Sequence, residues 1–294
     1  MIYPVIWWPV TAEIPTHTNS CAWMLTHMLR SYDCVHYANF TQPSTTERAV
    51  IIIHGQVAWT QNVLQAIHIL NEQMSKMKGV ILISIGDETC EFPYALLQHS
   101  NLKLWLQTAK PGVVKASRYL IEGFPELTPE RLAQVGDVER DLDWSFAGQI
   151  CHSRRVEMVE VLRKLRKESL SALIETSGFQ QGLPILDYLK LLKRTKVAPC
   201  PSGAAVDSFR VYEALESGCI PVLDAHTPDE IDGYWTLVFG QGHPFTVIHD
   251  WFHFPTVLDR LLERWPKGQA ATQAFWAKYK SEFMDWLAED WGSL

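Results

Sequence analysis

The sequence predicts an α/β protein of two domains, each built on a mostly parallel sheet. Three observations carry that reading. Short apolar runs alternate with longer amphipathic segments along the chain, as at 49–53, 59–76 and 79–85, the pattern of strands joined by crossover helices. The alternation restarts at 144 after a segment, 123–140, whose Pro125, Pro129 and mixed charge read as an interdomain linker. At 294 residues the chain exceeds the usual span of one hydrophobic core, so two domains of about 140 residues each are expected.

Taken in order, 3–10 reads as the first strand and 19–32 as a helix begun by Thr18 or Asn19, both good cap residues. The run 49–53 is a strand, 59–76 a helix, and 79–85 a third strand, apolar almost throughout as a doubly covered strand must be. That strand ends in the turn Gly86, Asp87, Glu88, and 102–106 gives a fourth. In the second half, strands are expected at 144–147, 171–175, 197–200 and 219–223, with an edge strand at 245–248. A turn at 148–152 opens a helix at 153–167, and further helices are expected at 184–193, 208–217 and 255–265. The amphipathic, aromatic-rich 269–291 closes the chain as a helix.

Composition narrows the function. The net charge of −7, from 26 basic against 33 acidic residues, argues against a nucleic-acid partner, so any basic pocket is local. Cysteines at 21, 34, 90, 151, 200 and 219 show neither C-x-x-C nor zinc spacing and read as reduced thiols. The 11 histidines form no H-x-x-x-H or H-E-x-x-H group, and no metal site is expected. Asp141 and Asp143 make a D-x-D, but before a strand at the end of the linker, a poor context for metal binding. The start MIYPVIWWPV lacks the basic residues and cleavage site of a signal peptide, and no apolar run reaches about 18 residues. A soluble, cytoplasmic protein without an integral membrane segment is therefore expected. The 12 tryptophans suit either core packing or the aromatic faces of a sugar-binding cleft.

The stretch 200–224, CPSGAAVDSFRVYEALESGCIPVLD, is the most informative. Pro201, Ser202 and Gly203 make a turn, Asp207 or Ser208 caps a helix, Gly218 closes it, and an apolar strand follows. Arg210 lies in the first turn, where the helix dipole disfavours a cation, and Glu213 follows at i+3 in the weaker order for an intrahelical pair. Helix amides and an Arg fork suit a diphosphate, and a carboxylate one turn on suits ribose hydroxyls. A solvated surface Arg/Glu pair is the alternative. Arg154 and Arg155 repeat the oddity at the helix start after the Gly148 turn, and a surface pair bridged to Glu157 or a nearby loop would equally account for them. Ser177, Gly178 and Gly182 flank a loop that either lies near a nucleobase or is only a turn.

The spacing of S-x-R-x-x-E-A-L, from Ser208 to Leu215, and the following G-C-I-P-V, from Gly218 to Val222, resembles the C-terminal signature of the exostosin glycosyltransferases, glycosyltransferase family 47. The resemblance is strong over 144–224 and weak elsewhere. It implies a GT-B fold, two Rossmann-like domains facing a cleft: 1–140 for the acceptor, 141–268 for the nucleotide-sugar donor, and 269–294 as a helix crossing back to the N-terminal domain. Full-length animal and plant exostosins carry a membrane anchor, so this chain looks like a short soluble form. The implied activity is transfer of a hexose or pentose from a UDP-sugar to a carbohydrate hydroxyl in glycan or polysaccharide synthesis, inverting, metal-independent and without a cofactor.

On that resemblance Gly148, Arg154, Arg155, Ser202, Ser208, Arg210 and Glu213 are donor-binding residues. The catalytic base is expected from the N-terminal domain, as Asp87, Glu88 or His17, with Glu13 and Glu91 behind them. The rival readings are a nucleotide-sugar epimerase or hydrolase, and a non-catalytic carbohydrate-binding relic of the fold.

Overall fold

The computed structural model describes residues 47–54, 63–87, 90–108, 110, 112–123, 128–176, 178, 181–203, 205–225 and 233–294, and the backbone of 4–8 and 35–37. The chain divides into two compact units, Met1–Glu122 with Ser281–Leu294, and Gly123–Lys280. Both are α/β with wholly parallel sheets, as the alternating pattern predicts.

The first unit holds β1 (Pro4–Trp8), β2 (Val35–Tyr37), β3 (Arg48–His54), β4 (Gly79–Ile85), β5 (Leu102–Gln107) and β6 (Arg118–Leu120). They lie in the order β2-β1-β3-β4-β5-β6, every pair parallel. The strands RAVIIIH and GVILISI are dense in β-branched residues, which suit a pleated surface covered on both faces. Helix α1 (Val63–Met74) buries Ile67, Leu70 and Met74 among Ala49, Ile51, Ile53, Val80 and Leu82.

The second unit begins with α2 (Thr128–Val135), inside the segment read as a linker. Leu132 of α2 is buried, and Arg140 donates to the backbone oxygens of Thr195 and Ser217. The boundary therefore falls at Gly123 rather than 140. There follow β7 (Leu142–Gln149), α3 (Ser153–Leu165), β8 (Ser171–Thr176), α4 (Ile185–Arg194) and β9 (Thr195–Cys200). Then come α5 (Phe209–Glu216), β10 (Ile220–Asp224), α6 (Gly233–Phe239), β11 (Thr246–Ile248), α7 (Phe254–Glu263) and α8 (Lys267–Gly292). The strand order is β11-β10-β9-β7-β8. Trp144, Phe146, Met158, Leu162, Val197, Val222, Trp251 and Phe254 form a core between sheet and helices.

Helix α8 belongs to the second unit up to Lys280 and to the first from Ser281. Besides α2, three short elements escape the sequence reading: β2, β6 and α6 are three, three and seven residues long, too short to show a period. The helix expected at 19–32 lies outside the described residues. Among the described residues no helix is long and apolar enough to cross a membrane.

Candidate functional site

The order β11-β10-β9-β7-β8 reverses direction between β7 and β9, since β7 connects to β8 on one side while the chain continues through β9 on the other. In open parallel sheets the crevice at such a reversal, at the carboxyl ends of the strands, is where ligands bind. The carboxyl ends of β7 and β9, the loops that follow them and the first turns of the helices α3 and α5 carry most of the residues singled out in the sequence.

The two strands part early. Their register couples Leu142 to Thr195 and Trp144 to Val197. The next step would set Phe146 against Pro199, which has no N–H to donate. Into that splay comes Arg210 from the first turn of α5. Its Nη2 donates to Ala147 O at 2.6 Å, its guanidinium lies over the Phe146 ring at 4.3 Å, and Tyr188 Oη is 3.4 Å from Nη1. Gly148 is what admits it, because a methyl group there would overlap Arg210 Nη2.

These contacts explain how a cation tolerates the positive end of a helix: a carbonyl and an aromatic face compensate it. Even so, Arg210 Nε is buried without a hydrogen-bond partner among the described residues. The same holds for Ser208 Oγ, at the N-cap of α5, which makes no capping bond. Buried polar atoms left unpaired cost free energy, so two of them at one helix start make this a candidate ligand site.

Glu213, one turn further along α5, is buried, with 8% of its surface exposed. Tyr188 donates to its Oε2 at 2.7 Å, so the tyrosine hydroxyl bridges Arg210 and Glu213. Burial raises the Glu213 carboxyl above the usual glutamate range, opposed by the Tyr188 hydrogen bond and the Arg210 charge. Burial likewise drives the Tyr188 phenol well above its ordinary value. A solvated surface pair is thereby ruled out for Arg210 and Glu213.

The arginines of α3 have other engagements. Arg154 grips the fully buried Asp224 at the end of β10, with Nε 3.1 and 3.2 Å from its two oxygens and Nη2 2.5 Å from Oδ1. It also pairs with Glu157 at 2.9 Å and donates to His249 O. Ser202 donates both its N–H and its hydroxyl to Asp224 Oδ2, which anchors the β9 loop to the same carboxylate. Arg155 donates to Gln149 O and Ser202 O, tying the loops after β7 and β9 together, and Nη2 packs against Gly203. Asp207, beside the α5 cap, accepts hydrogen bonds from Tyr212 and Tyr234. Sequence reasoning saw Asp207 as a possible cap but missed Tyr188 and Asp224. Only Asp224 left a trace, as a lone acid at the carboxyl end of the strand IPVLD.

Of the candidate bases, Glu88 and His17, like Glu13, lie outside the described residues. Asp87 is 3% exposed, and both of its oxygens are occupied. Oδ1 accepts from Glu91 N, and Oδ2 from Phe92 N and Tyr94 Oη. Asp87 therefore shapes the turn after β4, where it accepts three hydrogen bonds from its own loop. Asp141 pairs with Arg194, and Asp143 with Lys196 at 2.9 Å. Ser177 is outside the described residues, while Gly178 stands where a side chain would overlap Gln181.

Comparison with known proteins adds the following. The family model "RXYLT1 C-terminal domain" matches residues 122–291. Ribitol-5-phosphate xylosyltransferase 1 of Danio rerio is 23% identical over 263 residues, 77% of this chain and 59% of its own. The Homo sapiens protein of the same name is 26% identical over 134 residues, covering 42% of this chain and 30% of its own. A probable glycosyltransferase of Arabidopsis thaliana, At3g07620, is 50% identical over 38 residues, 13% of this chain and 8% of its own. The chain thus spans less than two thirds of the length of each of these relatives. A crystal structure of an alpha1,3-fucosyltransferase superposes with a TM-score of 0.45 at 12% identity, covering 92% of this chain and 81% of that one.

Proposed function

Since the chain belongs to the RXYLT1 C-terminal domain family, we propose that it is a glycosyltransferase of GT-B type whose second unit binds the nucleotide-sugar donor at the β7/β9 reversal. The observation that carries this is the pair of unpartnered buried atoms, Ser208 Oγ and Arg210 Nε, at the start of α5. There the helix amides, a hydroxyl and a guanidinium meet the donor diphosphate, and Glu213 accepts from the ribose hydroxyls. Arg155 and the Arg154–Asp224–Ser202 cluster hold the two loops in place.

In the reaction, the acceptor hydroxyl gives up its proton to a general base as its oxygen attacks the anomeric carbon, and the nucleoside diphosphate departs with the electrons of the broken glycosyl–phosphate bond. Arg210 and the α5 amides stabilise the charge that develops on the leaving group. We take the donor to be a UDP-sugar and the transfer to be inverting and metal-independent, with Asp141 and Asp143 engaged by Arg194 and Lys196. The exostosin-type assignment belongs to this proposal. The relatives' names make a xylosyl donor the first to test, and a phosphorylated polyol the first acceptor.

Calorimetry with UDP tests the site. Arg210→Ala and Gly148→Ala should each weaken binding by about 1–3 kcal/mol, the first by deleting charge-assisted bonds and the second by displacing the same guanidinium. Unchanged affinity in both variants sinks the assignment. Transfer that stops in excess EDTA and resumes with Mn²⁺ refutes metal independence.

A further inference from the structure

Tyr188 is absent from every motif that identifies the site, yet it touches both of the site's charged side chains. It projects from α4, the helix between β8 and β9, where Leu189, Leu191 and Leu192 are buried and fix the helix against the unit. The Tyr188 ring packs with Leu142, Ala147 and Leu191, so the hydroxyl is held by the same core that supports β7. That hydroxyl is 2.7 Å from Glu213 Oε2 and 3.4 Å from Arg210 Nη1.

Resting on the donor-site reading above, we propose that Tyr188 is a positioning residue. Its hydroxyl, standing between Arg210 and Glu213, orients the carboxylate and keeps it anionic, in the state that accepts hydrogen bonds from the donor's ribose. Among the described residues, the titratable groups facing Glu213 are Arg210 on its own helix, Tyr188 on α4 and Cys200 on β9. Cys200 is buried, and burial keeps its thiol protonated, so it brings no charge. The phenol also stays protonated, because burial and the neighbouring carboxylate both disfavour a phenolate. Arg210 is a constant cation. Glu213 is the group of this set whose ionisation burial has raised, and Tyr188 is its only neutral hydrogen-bond donor among the described residues.

A hydrogen bond to the charged form favours that form. Removing the hydroxyl should therefore move the ionisation of Glu213 to higher pH, whereas a purely structural loss would weaken binding equally at every pH. The experiment measures UDP affinity calorimetrically from about pH 5.5 to about pH 8.5 in the wild type, Tyr188→Phe and Glu213→Gln, the last cancelling the titration of UDP itself. The ratio of wild-type to Glu213→Gln affinity should rise with pH as Glu213 ionises. In Tyr188→Phe that rise should shift to higher pH, leaving UDP roughly tenfold weaker than wild type at the acid end and nearly equal at the alkaline end.

A rise in Tyr188→Phe that coincides with the wild type overturns the inference while the donor site stands. Equal UDP affinity in Glu213→Gln and wild type at every pH overturns both. Should Tyr188→Phe fail to fold, 3-fluorotyrosine at position 188 keeps the shape and strengthens the hydrogen-bond donor. It should move the rise to lower pH, and an unmoved rise again overturns the role.

Discussion

The two units share one plan and use it differently. In the first, β2-β1-β3-β4-β5 and in the second, β8-β7-β9-β10-β11 follow the same parallel order, each reversing between its first and third strand. At the carboxyl end of β4, Asp87 closes on itself through Glu91, Phe92 and Tyr94 and spends both oxygens on its own turn. At the reversal in the second unit, Ser208 and Arg210 are buried with atoms still unpaired. A carboxylate after a strand and an arginine after a strand look equally functional in a sequence. What separates them is whether the protein already satisfies them, because a satisfied polar group contributes stability and an unsatisfied one offers binding.

The largest effect expected from this comparison is on stability, at a residue that the sequence groups with the donor site. Arg154→Met leaves Asp224, which is fully buried, with hydrogen bonds to its carboxylate from Ser202 alone among the described residues. Breaking a buried pair from one side costs about 3–5 kcal/mol, so urea denaturation of this variant should show a loss of that order. A loss below 1 kcal/mol together with collapsed UDP binding would return Arg154 to the diphosphate and blur the contrast between clamp and ligand contact.

Asp87→Asn probes the first unit, with a smaller expected cost. The amide group must face one of the three donors that Asp87 now satisfies, and such a mismatch costs about 1–3 kcal/mol of stability. UDP affinity should not change, and turnover per folded molecule should stay within a few-fold of wild type. Turnover cut by about 10² or more at unchanged stability would restore Asp87 as the general base.

The sequence reveals whichever features are local. The strand Gly79–Ile85 is legible to the residue, because seven apolar or small residues of strand length admit few alternatives. The helix at 209–216 and its Gly218 ending are legible because cap chemistry is written in adjacent residues, and Gly218 indeed adopts a positive φ of 77°. Helix α2 escaped because Pro129 reads as a breaker, although in a first turn its missing N–H costs nothing. The job of Arg154 was invisible, since Asp224 lies 70 residues downstream and meets it only through the sheet. Arg210 and Glu213 could be picked out by their odd placement, but the tyrosine between them could not, because α4 shows only an amphipathic pattern that any core helix would share.

The smallest effect tests the proposed cost of keeping Glu213 ready for a ligand. Burial raises its carboxyl above the range of an unfolded glutamate, so folding favours the protonated form. Stability from this source is complete at pH below the ordinary glutamate range and drains away as pH rises through the raised value. Glu213→Gln cannot ionise and escapes that loss. Without ligand, the variant should gain on the wild type as pH climbs, and the gap between their urea midpoints should narrow in acid. Asp87→Asn should instead be less stable than the wild type, since its amide group faces at least one of three donors that the carboxylate now satisfies. If Glu213→Gln is instead the less stable protein throughout the neutral range, its carboxylate is as fully satisfied as that of Asp87. The distinction between a self-contained turn and a prepared site would then rest on Ser208 and Arg210 alone.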